Sequence, residues 1–260
     1  MLLLKYLSYK LRKLSRSIGK LLFFIFLGFT RRRIPSVQRE ILVNSELVSR
    51  IDSLIERNTR KFYPHKNIRI RFLDGFSGQS FRGFINEVLK IDPEGVYLEV
   101  GVWKGSTAAS ALSANTNPAI LIDKFESIPD IESLAEQNLR SILKRKNVGL
   151  LKLDYEKEFD LLPSLSNVRF FFFDGGHTFD NHLFAAKSIS KMQNSWILFL
   201  VDDYSKWDHI GHATTTGLLQ NDSKVQARWF LHPHKNDGFG RFGRWHNGLG
   251  IFLIVHENSK

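Results

Sequence analysis

Hydrophobic and polar residues are arranged in blocks along the chain, with short apolar runs between longer amphipathic stretches. Residues 170–173 and 196–201 are apolar throughout, which is typical of central parallel strands covered on both faces. Helical patterns separate the apolar runs at the spacing of βαβ units, and this predicts an α/β fold with a mostly parallel sheet. Seven strands are predicted at residues 96–100, 119–123, 148–153, 168–173, 195–202, 225–231 and 249–256, with helices near residues 105–114, 131–145 and 179–192.

The two ends of the chain extend this pattern. The last two predicted strands enclose a stretch rich in Gly and His, and we expect them to pair as an antiparallel hairpin at the edge of the sheet. Residues 38–60 have the one-sided apolar spacing of a helix, and another helix is predicted at residues 81–90. Residues 68–72 alternate like a short strand. The predicted organisation is an arm (residues 1–34), a helical extension with a linker (35–74) and an α/β domain (75–260).

Basic residues are concentrated in the arm. Residues 1–33 contain nine Lys and Arg and no Asp or Glu, which leaves +2 of the net charge of +11 for the remaining chain. Leucine and isoleucine recur there at steps of three and four, so the arm is predicted to be amphipathic and helical. Its apolar run at residues 21–29 is shorter than the roughly 20 residues that span a bilayer. Three interpretations stay open: a helix on an anionic membrane surface, a helix packed on the domain or a partner, and a disordered basic tail.

Composition narrows the possible functions. The chain contains no cysteine, so disulfides and thiolate metal sites are excluded. A nucleic-acid partner is not favoured, because the chain beyond residue 33 lacks the basic excess of such proteins. The sequence predicts a cytoplasmic protein, which would be peripheral at the inner face of a membrane if the arm docks there.

A strand, a tight turn and a helix start are predicted around residues 96–112. The apolar run ends at Glu99, Gly101 and Gly105 follow four residues apart, and Ser106 opens an Ala-rich segment. Glycine permits a sharp turn and a close approach to a ligand, and a helix start offers unpaired N–H groups. The spacing differs from the three-glycine dinucleotide fingerprint, and a carboxylate here suits an amino group better than a pyrophosphate. A small-molecule site is predicted, with an ordinary strand–turn–helix as the alternative.

Carboxylates also follow two other predicted strands. Asp174 ends the fourth strand, and Asp202 and Asp203 end the fifth. Neighbouring strands lie about 4.8 Å apart, so these side chains should crowd one edge of the sheet. Such crowding is costly unless protons or a cation compensate, and oxygen-only ligands favour a hard cation such as Mg²⁺. The alternative is that Asp174 caps a helix and one of the other two points to solvent.

Several motifs in this order resemble class I S-adenosylmethionine-dependent methyltransferases, and the closest group is that of the small-molecule and macrolide-sugar O-methyltransferases. The resemblance covers roughly residues 75–256. It implies a Rossmann-like, seven-stranded, mostly parallel sheet with helices on both faces and a C-terminal antiparallel hairpin. The matching segments are residues 75–79, 97–107, 122–123, 173–177, 201–204 and 245–252.

The resemblance implies S-adenosylmethionine as the cofactor. The glycine turn would hold its methionine part, Asp123 would accept hydrogen bonds from its ribose hydroxyls, and Asp154 would lie beside its adenine. The alternative interpretation of Asp123 and of Asp154 is a turn residue with no role in binding. The implied cofactor-binding residues are Glu99, Gly101, Gly105, Ser106, Asp123 and Asp154.

The resemblance also implies O-methylation of a small-molecule or glycan hydroxyl. Asp174, Asp202 and Asp203 would hold a divalent metal, which lowers the pKa of the hydroxyl. The predicted catalytic residues are Asp174 and His177, whose neutral imidazole can take the hydroxyl proton. This chain has Gly176 where the family often has a polar residue, and His177 can also be a plain surface histidine. The alternative function is a non-catalytic Rossmann-like scaffold that docks on a membrane or an acidic partner through its arm.

Overall fold

The computed structural model describes residues 35–60, 64–143, 148–192, 194–221, 224–234, 243–245 and 247–256. The predicted basic arm lies outside these residues. Within the described part of the chain, no helix is long and apolar enough to cross a membrane.

The described residues form one eight-stranded sheet, with the strand order β1-β7-β8-β6-β5-β2-β3-β4. Strands β2 to β6 run parallel to one another, whereas β8 is antiparallel to both β6 and β7, and β1 is antiparallel to β7. The strands are β1 (Ser36–Ile41), β2 (Val96–Val100), β3 (Ala119–Asp123), β4 (Val148–Lys152), β5 (Val168–Phe173), β6 (Trp196–Asp202), β7 (Lys224–His232) and β8 (Leu249–Val255).

Helices cover both faces of the sheet, as predicted. Side chains alternate along each strand, so Tyr97 packs in a core with Phe84 and Ala109, while Leu98 packs in a second core with Phe171 and Ile210 on the opposite face. The helices are α1 (Glu46–Arg60), α2 (Ile68–Phe72), α3 (Gln79–Val88), α4 (Ser106–Leu112), α5 (Ile131–Ile142), α6 (Phe179–Ser188) and α7 (Asp208–Gln220).

The predicted number of seven strands is wrong, because residues 36–41 form an eighth strand, and the helix predicted at residues 38–60 begins only at Glu46. This strand pairs with β7, and the guanidinium of Arg228 donates to both carboxylate oxygens of Glu40, at 2.6 and 2.7 Å. The C-terminal hairpin is confirmed. It is not at the edge, however, because β8 lies inside the sheet and β1 covers β7.

Two further element predictions need correction. Residues 68–72 form helix α2 instead of a strand, because the side chain of Asn67 accepts a hydrogen bond from the amide of Arg69 at 2.9 Å and caps the helix. Helix α7 had no counterpart among the predicted elements. It packs against α6, and Gly217 permits this contact because a Cβ there would overlap Ala186.

Candidate active site

A cavity of about 420 Å³ opens at the carboxyl ends of β2, β3 and β5. Ligands of open parallel sheets bind at this end of the strands, in the crevice beside the turns. The predicted residues in its wall are Gly101, Ser106, Asp123, Asp174 and His177.

The turn after β2 needs glycine at Gly101. The residue has φ +92°, and a Cβ on it would overlap the carbonyl oxygen of Asp174 on the neighbouring strand. Gly105 is also left-handed, with φ +72°, and caps the start of α4. Gly101 therefore brings the backbone close to the end of β5, Gly105 lies against α5, and Ser106 reaches the cavity wall.

Asp123 is held in a fixed orientation at the end of β3. One carboxylate oxygen accepts the backbone N–H of Trp103 at 2.7 Å, and the other accepts that of Phe125 at 2.6 Å. Both donors have positive φ, +46° for Trp103 and +55° for Phe125. Such conformations persist only where surrounding structure imposes them. The carboxylate keeps lone pairs that can accept further hydrogen bonds from a ligand in the cavity.

Glu99 lies beneath the turn and outside the cavity wall. Strand alternation turns it toward the face covered by α3 and α4, where it is fully buried. There it accepts a hydrogen bond from the hydroxyl of Tyr97 at 2.6 Å. Burial raises its pKa to about 8. The expected contact between Glu99 and a ligand stays a prediction.

Replacing Glu99 by Gln is expected to stabilise the protein at alkaline pH. Between the ordinary pKa of 4.5 and the folded value of about 8, the folded state binds a proton that the unfolded chain has released. The wild type therefore loses stability as pH rises through this window, at ~1.4 kcal/mol per pH unit. Gln stays neutral and can still accept from Tyr97, so we expect Glu99→Gln to exceed the wild type by on the order of 3 kcal/mol at pH 8 and to match it near pH 4.5.

Urea unfolding at several pH values between 4.5 and 8 measures this difference. Asp160→Asn is the matched control, because the side chain of Asp160 is 91% exposed. Parallel stability profiles for the wild type and Glu99→Gln would contradict the assignment.

Asp154 is near the cavity, but its carboxylate is engaged elsewhere. It pairs with Lys124 at 2.9 Å and with Lys157 at 3.3 Å. The cavity wall is formed instead by Leu153, Tyr155 and Glu156. Glu156 was not among the predicted site residues, and it reaches the wall from the turn that follows Asp154. Burial and a hydrogen bond with Asp154 raise the pKa of Glu156.

Asp174 and Asp202 share a hydrogen bond at the ends of β5 and β6. Burial raises the pKa of Asp174 well above its usual range, and the charges of Asp202 and Asp203 raise it further. Burial, together with the charge of Asp203, raises the pKa of Asp202 to about 7. Two adjacent carboxyl groups with raised pKa values titrate as a pair, so Asp174 and Asp202 hold a proton between them at neutral pH.

Asp203 turns away from this pair. Its φ of +56° directs one carboxylate oxygen to the side-chain amide of Asn247 and brings the other to 3.5 Å from Nδ1 of His177. No group of three His, Asp or Glu side chains in the described residues has the geometry to hold a metal ion. The three predicted metal ligands therefore lie near one another, but they do not fit a common metal site.

His177 lines the cavity beside Asp203. Its ring lies 5.2 Å from that of Trp207, and its backbone carbonyl accepts a hydrogen bond from Nε2 of His209 at 2.8 Å. Burial lowers the pKa of His177, while the charge of Asp203 acts in the opposite direction. The imidazole is therefore neutral at physiological pH and can accept a proton. Asn247 was not among the predicted site residues, because its hydrogen bond to Asp203 joins positions 44 residues apart in the chain.

No family model matches this chain, and no curated protein matches it in sequence. Solved structures do match. A Staphylococcus aureus protein provisionally named as a caffeoyl-CoA O-methyltransferase is 13% identical, with 82% of this chain and 93% of that chain covered and a TM-score of 0.51. The SAH-bound methyltransferase of Podospora anserina is 10% identical, with 83% and 89% covered and a TM-score of 0.48. Precorrin-6y C5,15-methyltransferase of Geobacter metallireducens is 17% identical, with 69% and 89% covered and a TM-score of 0.47. The first similarity establishes that this chain has the methyltransferase fold.

Proposed function

We propose that this protein is an S-adenosylmethionine-dependent methyltransferase that acts on a hydroxyl oxygen of a small molecule or glycan. The observation that carries the proposal is the preorganised carboxylate of Asp123 in the cavity wall, beside the turn that contains Gly101 and Trp103. Two vicinal ribose hydroxyls can donate to such a carboxylate without any movement of the protein. The non-catalytic scaffold is not favoured, because it gives no reason for this arrangement.

The charges in the cavity wall also suit this cofactor. Even without Asp174, which shares a proton with Asp202, the acidic residues Asp123, Glu126 and Glu156 outnumber the single lysine, Lys124, in the wall. A wall rich in carboxyl groups attracts a ligand that carries a sulfonium and an ammonium group. The same wall repels a pyrophosphate, so its charges favour S-adenosylmethionine over a dinucleotide.

His177 is the proposed general base. When bound, the cofactor supplies an electrophilic methyl group on a cationic sulfur, and the sulfur leaves as a neutral thioether. His177 takes the proton of the attacking hydroxyl, and the carboxylate of Asp203 orients the imidazole and stabilises the imidazolium that forms. Asn247 fixes Asp203 in turn. Each proton and charge then has a place within the described residues.

A divalent cation is expected from the sequence resemblance, but the described carboxylates do not fit one as they stand, so no step is assigned to it. One carboxylate oxygen of Asp203 lies beside His177 and the other accepts a hydrogen bond from Asn247, so both are engaged. The cation stays a prediction, which the activity of the wild type and of His177→Ala in EDTA and in Mg²⁺ tests.

Isothermal titration of S-adenosylhomocysteine into the full chain, in EDTA and in Mg²⁺, tests the proposed function. We expect saturable binding at micromolar concentrations in both buffers. If the folded protein binds no S-adenosylhomocysteine in EDTA and none in Mg²⁺, the result contradicts the proposal and favours the scaffold alternative. Binding in Mg²⁺ alone would support the cation.

We also propose that the arm of residues 1–33 binds an anionic membrane surface. Its support is the sequence, with nine basic residues, no acidic residue and a one-sided apolar spacing. Deleting residues 1–33 is expected to abolish cosedimentation with vesicles that contain phosphatidylserine, and added salt is expected to weaken binding of the full chain. Vesicles of phosphatidylcholine alone are the control. Undiminished cosedimentation of the truncated chain would contradict the proposal.

A further inference from the structure

Arg82 is a fully buried cation on helix α3, and its guanidinium reaches back to the preceding segment. Nε donates to the carbonyl of Ser77 at 3.1 Å and to its hydroxyl at 2.9 Å. Nη1 donates to the carbonyls of Ile70 at 2.7 Å and of Leu73 at 3.0 Å. One side chain therefore binds three backbone carbonyls, one within α2 and two between α2 and α3.

That segment forms one wall of the cavity. Residues 74–78 belong to no helix or strand, so side-chain anchors decide their shape. Phe76 stacks on Trp103 with 4.4 Å between the ring centroids, and the hydroxyls of Ser77 and Ser106 lie 3.4 Å apart. The segment anchored by Arg82 thus meets the turn after β2 at two points.

The stacked pair connects the segment to Asp123. The backbone N–H of Trp103 orients that carboxylate, and Trp103 holds an unfavourable left-handed conformation while doing so. A backbone in such a conformation depends on its surroundings, and Phe76, like Lys104, packs against the ring of Trp103. Displacing Phe76 would therefore disturb the amide that holds Asp123, in addition to opening the cavity.

We propose that Arg82 is a positioning residue for the cofactor: it fixes residues 73–78 so that Phe76 and Ser77 close the cavity against Trp103 and Ser106. This inference rests on the proposed function. The guanidinium suits the task because its donors lie in one fixed plane and reach several carbonyls at once. Lysine offers a single point of charge, so Arg82→Lys is expected to restore only part of the effect.

The test is titration of S-adenosylhomocysteine into full-length Arg82→Met, Arg82→Lys and Arg169→Met, at a temperature well below their unfolding. Arg169 is a matched control because its guanidinium also donates to a carbonyl, that of Trp196 at 3.2 Å, near the amino end of β5 and remote from the cavity. We expect the Kd to rise at least 10-fold for Arg82→Met and less for Arg82→Lys. Arg169→Met should stay within twofold of the wild type.

A double-mutant cycle with Phe76→Ala separates positioning from general stability. Phe76 is 46% exposed, so its truncation should cost little stability while weakening binding. If Arg82 acts through Phe76, the effects of the two changes on Kd are expected to be strongly less than additive, whereas unrelated structural damage would add.

The outcomes are distinguishable. A wild type that binds no S-adenosylhomocysteine contradicts the proposed function, and the inference falls with it. A wild type and a folded Arg82→Met that bind equally well contradict only the role of Arg82. If Arg82→Met does not fold, Arg82→Lys decides, and an unchanged Kd for that variant overturns the inference.

Discussion

Asp123→Ala is expected to weaken binding of S-adenosylhomocysteine at least 100-fold. The change would remove the two charge-assisted hydrogen bonds proposed between Asp123 and the ribose, each worth about 1.5–3 kcal/mol. The change also removes the acceptor for the amides of Trp103 and Phe125, so the turn that faces the ligand loses its anchor. Isothermal titration measures the Kd, and circular dichroism checks that the variant remains folded.

Asp123→Asn is the matched variant for this test. It keeps the size of the side chain and one oxygen acceptor, but it places an amide NH₂ against one of the two backbone donors. We expect an affinity between those of the wild type and Asp123→Ala. A Kd for Asp123→Ala within threefold of the wild-type value would remove the observation on which the proposed function depends.

The sequence predicted the central sheet well because burial there leaves a direct pattern. Residues 168–173 form a strand with the predicted bounds, and residues 170–173, which are covered on both faces, are apolar at successive positions. Asp123 and Gly101 could be found for a related reason. Each follows directly on such a strand, so its place at the sheet edge depends only on local order.

Elements that depend on distant partners could not be predicted. Strand β1 is polar and is held by pairing with β7, including the contact between Glu40 and Arg228, which are 188 positions apart. Helix α7 contains threonines and two glycines that disfavour an isolated helix, and its packing on α6 offsets this. Tertiary contacts stabilise both β1 and α7, and the hydrophobic pattern within a single segment does not reveal such contacts.

The carboxylates at the sheet edge show a similar limit. The sequence correctly predicted that Asp174 and Asp202 meet, because adjacent parallel strands end at the same edge. It could not predict that the backbone turns at Asp203, since a positive φ at a residue other than glycine depends on the surrounding structure. That one dihedral angle directs Asp203 to His177 and changes the expected chemistry from three ligands of one ion to a carboxylate–histidine pair.

His177→Ala is expected to lower kcat for methyl transfer by about 10²–10⁴-fold, the usual contribution of a general base. The Kd for S-adenosylhomocysteine should change little, because no predicted cofactor contact is removed. The assay follows the tritiated methyl group of S-adenosylmethionine onto the first acceptor found among catechols, phenols and glycosides. His212→Ala is the matched control, since His212 is exposed and packs against Phe179.

The pH profile and the metal dependence of the wild type complete this test. Burial lowers the pKa of His177 below its ordinary value of 6.5 in the ligand-free protein, so kcat/KM is expected to rise with pH and to reach half of its plateau below pH 6.5. We expect activity to persist in EDTA, because His177 and Asp203 suffice to remove the proton. Activity that is lost in EDTA, restored by Mg²⁺ and insensitive to His177→Ala would contradict the role of His177. Deprotonation would then fall to a cation, and Asp203 would have to leave Asn247 to bind it.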